Sequence, residues 1–166
     1  MRRIAFLVAS ISLVLAMGAG PVAARQPGST IAETVIAVNR QTGGFDHLLA
    51  AIRRAGLVGT LDGNRQFTVF APTDAAFERL FSVLGVSGVR DIPVSTLRTV
   101  LLYHVAPGQR SSDVVVSSDR IRTIGKGFLR PSVHDGSAWI NDARITTPDV
   151  DVSNGVIHVI DSVLLP

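Results

Sequence analysis

The sequence predicts an α+β domain, and three observations carry that expectation. Apolar residues recur at helical spacing through the first part of the chain, interrupted by one strand-like run, Phe67 to Phe70. After Pro107-Gly108 the spacing shortens toward two, the period of half-buried strands. The elements therefore come as helices with one strand embedded, then mostly strands, which suits α+β better than a βαβ repeat. No internal repeat or low-complexity segment stands out.

Ahead of the first helix lies a leader. Arg2-Arg3 precedes an apolar run, Ile4 to Met17, broken only by Ser10 and Ser12, and small residues lead to Val22-Ala23-Ala24. That is a basic start, an apolar core of signal-peptide length and a small-x-small site, with cleavage expected after Ala24. A membrane span needs roughly 20 apolar residues, and this run breaks at Gly18-Ala19-Gly20-Pro21. Residues 1–24 are thus read as a cleaved signal peptide, 25–30 as a flexible lead-in and 31–166 as one domain. Such a chain is expected outside the membrane, extracellular or periplasmic.

Of the 166 residues, 16 are basic and 13 acidic, for a net charge of +3. Cleavage removes Arg2 and Arg3 and no acid, leaving +1, so the basic character is slight. Every basic residue but Lys126 is arginine, and they are scattered, which leaves no footprint for nucleic acid or an anionic membrane. There is no cysteine. A disulfide framework, a thiolate nucleophile and a cysteine-type zinc site are excluded, and the apolar core must hold the fold alone.

Thr30 and Glu33 form a capping box at the start of the first helix, whose stripe is Ile31, Val35 and Val38. Gly43-Gly44 opens a second helix with Phe45, Leu48, Leu49 and Ile52 on one face, and Gly56 terminates it. The strand Phe67–Phe70 stops at Ala71-Pro72, because proline has no amide for the ladder. Thr73 or Asp74 caps the next helix, which buries Phe77, Leu80, Phe81 and Leu84.

A loop, Gly85 to Pro93, leads to a helix starting at Ser95 or Thr96 and running into Leu102-Tyr103-His104-Val105. Strands are expected at Val114–Val116, Ile121–Ile124, Phe128–Val133 and Ala138–Ile140, with a hairpin turn at Asp135-Gly136. Asn154-Gly155 is a second turn, joining Ile145–Val152 to Val156–Leu165. The last run is apolar on both faces and reads as a central strand.

Three boxes now stand in fixed order: FTVFAPTDAAFERL (67–80), LLYHVAPGQ (101–109) and SNGVIHVIDSVLLP (153–166). Together they resemble the fasciclin-type domain across residues 31 to 166. The resemblance implies a wedge-shaped β-sandwich surrounded by a layer of α-helices, and a non-enzymatic module for cell adhesion or matrix contact. It also implies two contact segments: Tyr103-His104, and Pro148-Asp149-Val150, where Val150 stands in place of the isoleucine of animal members. Thr73, Asp74, Asn154, Gly155 and His158 belong to the boxes and are expected to serve architecture.

Other chemistries find little support in the spacing. The four histidines, His47, His104, His134 and His158, fall at no i, i+3 or i+4 pairing, so no metal is expected. There is no GxSxG elbow, and Gly125-Lys126-Gly127 is a lone GxG ahead of a strand. Two roles are open for Tyr103-His104: a buried, hydrogen-bonded pair, or a contact patch. Trp139 is read as sheet packing or as a half-exposed face for sugar or protein.

The expected function is a secreted adhesion or surface-interaction module without cofactor. Its partners would be a cell-surface or extracellular-matrix protein or polysaccharide, with homophilic contact also compatible. The alternative is a carrier or sensor of a small lipid or carbohydrate, which requires an enclosed pocket of roughly 300 Å³ or more.

Overall fold

The computed structural model describes residues 28–166; the expected signal peptide and residues 25–27 lie outside the described residues. Among the described residues the α-helices are α1 (Ile31–Thr42), α2 (Asp46–Arg54), α3 (Val58–Leu61), α4 (Asp74–Leu84), α5 (Val94–Tyr103) and α6 (Ser112–Val116). The strands are β1 (Phe67–Pro72), β2 (Val105–Pro107), β3 (Ile121–Arg122), β4 (Phe128–Leu129), β5 (Pro131–His134), β6 (Ser137–Ile140), β7 (Ala143–Val152) and β8 (Gly155–Ile160). The fold is α+β, as the order of periodicities predicts.

Strands β2-β1-β8-β7-β6-β5 form one sheet, and β3-β4 a separate ribbon. β1 and β8 run parallel; the other pairs are antiparallel. The final run is central, between β1 and β7, but its strand ends at Ile160 and does not reach Leu165. Alternation along β1 divides the interior. Phe67, Val69 and Ala71 face a core built with α1, α2, α4 and α5, while Phe70 faces a second core with Ala106, Ile140, Ala143, Ile145 and Ile160. β7 contributes to both halves of the sheet, and its register shifts between Ile145 and Val150 bend it. That bend lets residues from β6 share a core with residues from β1 and β8.

Local signals set the helix boundaries. The Thr30 hydroxyl accepts the Glu33 amide at 3.3 Å and the Glu33 carboxylate accepts the Thr30 amide at 3.0 Å, completing the capping box. The fourth helix differs from expectation at both ends. Thr73 is the N-cap residue but makes no side-chain capping bond. Asp74 caps a different helix: its carboxylate accepts the amides of Asp46 at 3.0 Å and His47 at 2.8 Å, at the start of α2. Leu84 is 51% exposed, and Ala76 joins Phe77 and Phe81 in the buried stripe.

β1 runs two residues past Phe70. Ala71 and Pro72 pair with Val159 and Ile160, and a terminal proline can hold a ladder position that needs no amide. The segment 114–116 is helical, not extended. Val115 is fully buried while Val114 is 44% exposed, and Ser111 accepts the Val115 amide at 2.9 Å. β-branched residues favour strands, but here tertiary anchoring of the helix start overrides propensity. Phe128–Val133 is two strands, β4 and β5, separated at Arg130, whose amide is taken by the Asn141 side chain at 2.8 Å. Asp135 and Gly136 have φ of 51° and 72°, the conformation of a type I′ turn.

The last hairpin turns one residue earlier than its Asn-Gly pair suggests. Val152 pairs with Gly155, so Ser153 and Asn154 form the loop and Gly155 begins β8. There φ is 152°, and an added Cβ would lie 1.9 Å from the Phe67 carbonyl oxygen. Glycine is required by the parallel approach of β1. Asn154 is buried, accepts the Ile31 amide at 2.8 Å and donates to the carbonyls of Leu61 at 2.7 Å and Gly63 at 2.9 Å. One side chain thus ties the hairpin to the start of α1 and the end of α3.

Candidate functional site

The two contact segments implied by the resemblance lie in different environments. Tyr103 and His104 are only 6% and 2% exposed. The Tyr103 hydroxyl donates to the Phe128 carbonyl at 2.9 Å and accepts from the Asn141 side chain at 3.4 Å. Its ring is covered by the Gly125–Gly127 turn, where a Cβ on Gly127 would stand 2.3 Å from the ring. The lone GxG is therefore the cover of a buried tyrosine. His104 Nδ1 donates to the Val100 carbonyl at 2.8 Å, and Nε2 accepts the Leu164 amide at 2.9 Å. Burial lowers its pKa from 6.5 to about 4, against a partial offset from the Val100 bond. The pair is packed and hydrogen-bonded, the first of its two expected roles, and little of either residue is exposed.

Pro148-Asp149-Val150 occupies the irregular stretch of β7, with Pro148 and Asp149 exposed and Val150 half-buried. Asp149 adopts φ of 56°, uncommon for a residue with a side chain. Two anchors hold it. Its amide donates to His158 Nδ1 at 3.2 Å, and its carboxylate accepts from the Ser112 amide at 2.7 Å and from the Ser112 hydroxyl. The acid is thus an N-terminal anchor of α6 from 37 residues away, a role that no local motif encodes.

Beside this stretch lies an open groove of about 400 Å³. α6 supplies Ser112, Asp113 and Val116; the sheet supplies Val133, Ala138 and Pro148 among others. Val133 is 55% exposed at the groove. Sequence reasoning found Pro148 but missed the α6 wall, because Val114–Val116 resembled a strand. The Ser111-Ser112-Asp113 run is a helix-start signal that would have exposed it. By contrast, the enclosed space between helices and sheet, lined by Leu48, Ile52, Leu57, Val69 and Leu101 among others, is only about 20 Å³.

Both nitrogens of His104 and of His158 end on backbone groups, and the Asp74 carboxylate is taken by two amides. Among the described residues, no group of three or more His, Cys, Asp or Glu could hold a metal ion. None of the described helices is long and apolar enough to cross a membrane. Trp139 is half-buried on β6, its ring 6.3 Å from that of His134.

Comparison with known proteins places this architecture. The profile of the fasciclin domain matches residues 43–166. The chain belongs to the fasciclin family. A relative from Synechocystis, protein sll1483, is 38% identical over 141 residues, covering 85% of this chain and 78% of its own. The transforming growth factor-beta-induced protein ig-h3 of Sus scrofa is 32% identical over 133 residues, 80% of this chain but 19% of that much longer one. Immunogenic protein MPB70 of Mycobacterium bovis is 33% identical over 115 residues, 68% of this chain and 56% of its own. Among solved structures, a domain pair from the insect cell adhesion molecule Fasciclin I superposes with a TM-score of 0.69 at 18% identity. The match covers 84% of this chain and 52% of that one, and it shows the shared fasciclin fold.

Proposed function

We propose that this fasciclin domain is a secreted, non-enzymatic adhesion module that binds a cell-surface or extracellular-matrix protein or polysaccharide through its outer surface. One observation carries the reading: among the described residues, the space between helices and sheet is small, and a recess of larger size is an open groove. A small-ligand site encloses roughly 300 Å³ or more, whereas the space between helices and sheet is about 20 Å³. The 400 Å³ groove is open, with aliphatic side chains at Val116, Val133 and Pro148 and polar groups at Ser112 and Asp113. That mixture suits contact with a protruding segment of another macromolecule. Kinship with the insect cell adhesion molecule Fasciclin I supports the same class of function. Family membership and the export signal read from residues 1–24 agree on where such a partner would be met.

The test is capture of a saturable partner by residues 25–166 from cell envelopes, matrix proteins and polysaccharides. Val133→Arg and Pro148→Arg place charge in the groove and are expected to weaken capture at least about tenfold, with melting temperatures nearly unchanged. Absence of any saturable partner across that panel would overturn the reading. Unaltered capture by both variants would move the contact to another face.

A further inference from the structure

The two walls of the groove share one anchor. His158 is fully buried on β8 and stacked on Phe70, with ring centroids 5.5 Å apart. Nδ1 accepts the Asp149 amide at 3.2 Å. Nε2 lies 2.9 Å from the Arg110 carbonyl, which can only accept, so Nε2 carries the proton. One tautomer of the neutral ring satisfies both partners. Asp149 adjoins Pro148 on one wall, and Arg110 precedes the start of α6 by two residues on the other. The Asp149 carboxylate closes the circuit onto Ser112.

We infer that this circuit is an acid-sensitive latch: protonation of His158 detaches the Asp149 backbone from β8 and frees the Pro148 wall to move relative to α6. The reason is a count of donors. An imidazolium carries N–H on both nitrogens, so Nδ1 would face the Asp149 amide donor to donor. The left-handed backbone at Asp149 would then depend on the Ser112 bonds alone.

The charges around the ring set the direction. On β7, the Asp149 carboxylate favours the protonated ring, while Asp151 is engaged by the Gln109 side chain at 3.4 Å. Arg144, also on β7, has its amide bonded to Asp161, beyond the end of β8. β1, packed on the other side, has no titratable side chain. The loop into α6 brings Arg110, whose Nε is buried without a partner, and α6 itself brings Asp113 to the groove. Burial lowers the pKa of the ring, and the Arg110 bond and the Asp149 charge offset this in part. The latch is therefore closed at neutral pH and opens on the acid side of an ordinary histidine. This deepens the surface reading, and its biological use rests on that reading. The latch itself is measurable without a partner.

The experiment is a nuclear magnetic resonance titration of the chain from about pH 7.5 to about 4.5, following the His158 ring nitrogens and the amides of Asp149, Val150 and Ser112. Nδ1 is expected to change from acceptor to protonated in step with the Asp149 amide. Exchange at Asp149, corrected for its intrinsic pH dependence, should accelerate about tenfold while Val69 and Ile157 in the central ladder stay protected. Asp149→Asn removes the charge, tolerates left-handed backbone and should shift the transition to lower pH. His158→Gln should abolish it, and the wild-type titration stands by itself if that variant does not fold.

The latch is refuted if the His158 ring titrates without the Asp149 amide, if that amide opens only together with Val69 and Ile157, or if Asp149→Asn shifts the transition upward. A failed titration leaves the adhesion reading standing, and a missing partner leaves the titration standing.

Discussion

Asp74 follows a strand and a proline and starts a helix, a setting shared with many reactive turns, yet its oxygens lie 3.0 and 2.8 Å from the amides of Asp46 and His47. Those amides are among the orphan donors at the start of α2, where negative charge is also favoured by the helix dipole. One side chain therefore joins the starts of two helices, and the Asp74 amide donates to the Gly44 carbonyl at 2.9 Å to complete the joint. Asp74→Ala is expected to cost about 1–2 kcal/mol, the usual worth of a lost N-cap. Urea unfolding should show a lower midpoint with an unchanged slope. Loss of partner capture without loss of stability would instead give this carboxylate a direct functional role.

At the scale of elements, Gly155 shows why one glycine decides a strand pairing. β8 runs parallel to β1 so closely that a Cβ would overlap the Phe67 carbonyl, and φ of 152° is hostile to side chains as well. Gly155→Ala is expected to cost more than about 4 kcal/mol or to prevent folding. Gly59→Ala, with open space around it, should stay within about 0.5 kcal/mol; thermal melts followed by circular dichroism would separate the two. Their contrast also shows what could be read in advance. The capping box at Thr30, the Asp135-Gly136 turn and the central position of β8 were legible because their causes are local. The turn at Ser153-Asn154 was one residue out of register, because Gly155 answers to β1 and not to the turn. α6 was illegible for a similar reason. Three consecutive valines favour a strand, and the bonds that fix the helix start come from Asp149, distant in sequence. At the groove, Pro148 could be named from the family resemblance, while the opposing wall could not.

The whole molecule is two cores sharing a sheet, and His104 bonds the end of α5 to the C-terminal segment beside both. Its neighbours in sequence divide between them: Leu101 and Val105 belong to the helix-side core, Tyr103 and Ala106 to the other. Burial disfavours the charged ring, and charging it would also put a donor against the Leu164 amide, so the native state resists protonation until about pH 4. The unfolded chain takes up the same proton near the ordinary histidine value of 6.5. Between these values the unfolded state binds more protons, so stability is full above about pH 6.5 and falls as pH drops toward 4. The separation corresponds to a loss on the order of 3 kcal/mol. Urea titrations at a series of pH values should show this decline and a flattening of its His104 component below about pH 4. His104→Asn should be less stable at neutral pH yet lose less on acidification, its slope reduced by up to about 1.4 kcal/mol per pH unit within the window. An acid slope identical to that of the wild type would assign the decline to other groups, His158 among them, and remove His104 from its place as the proton-sensitive joint between the cores.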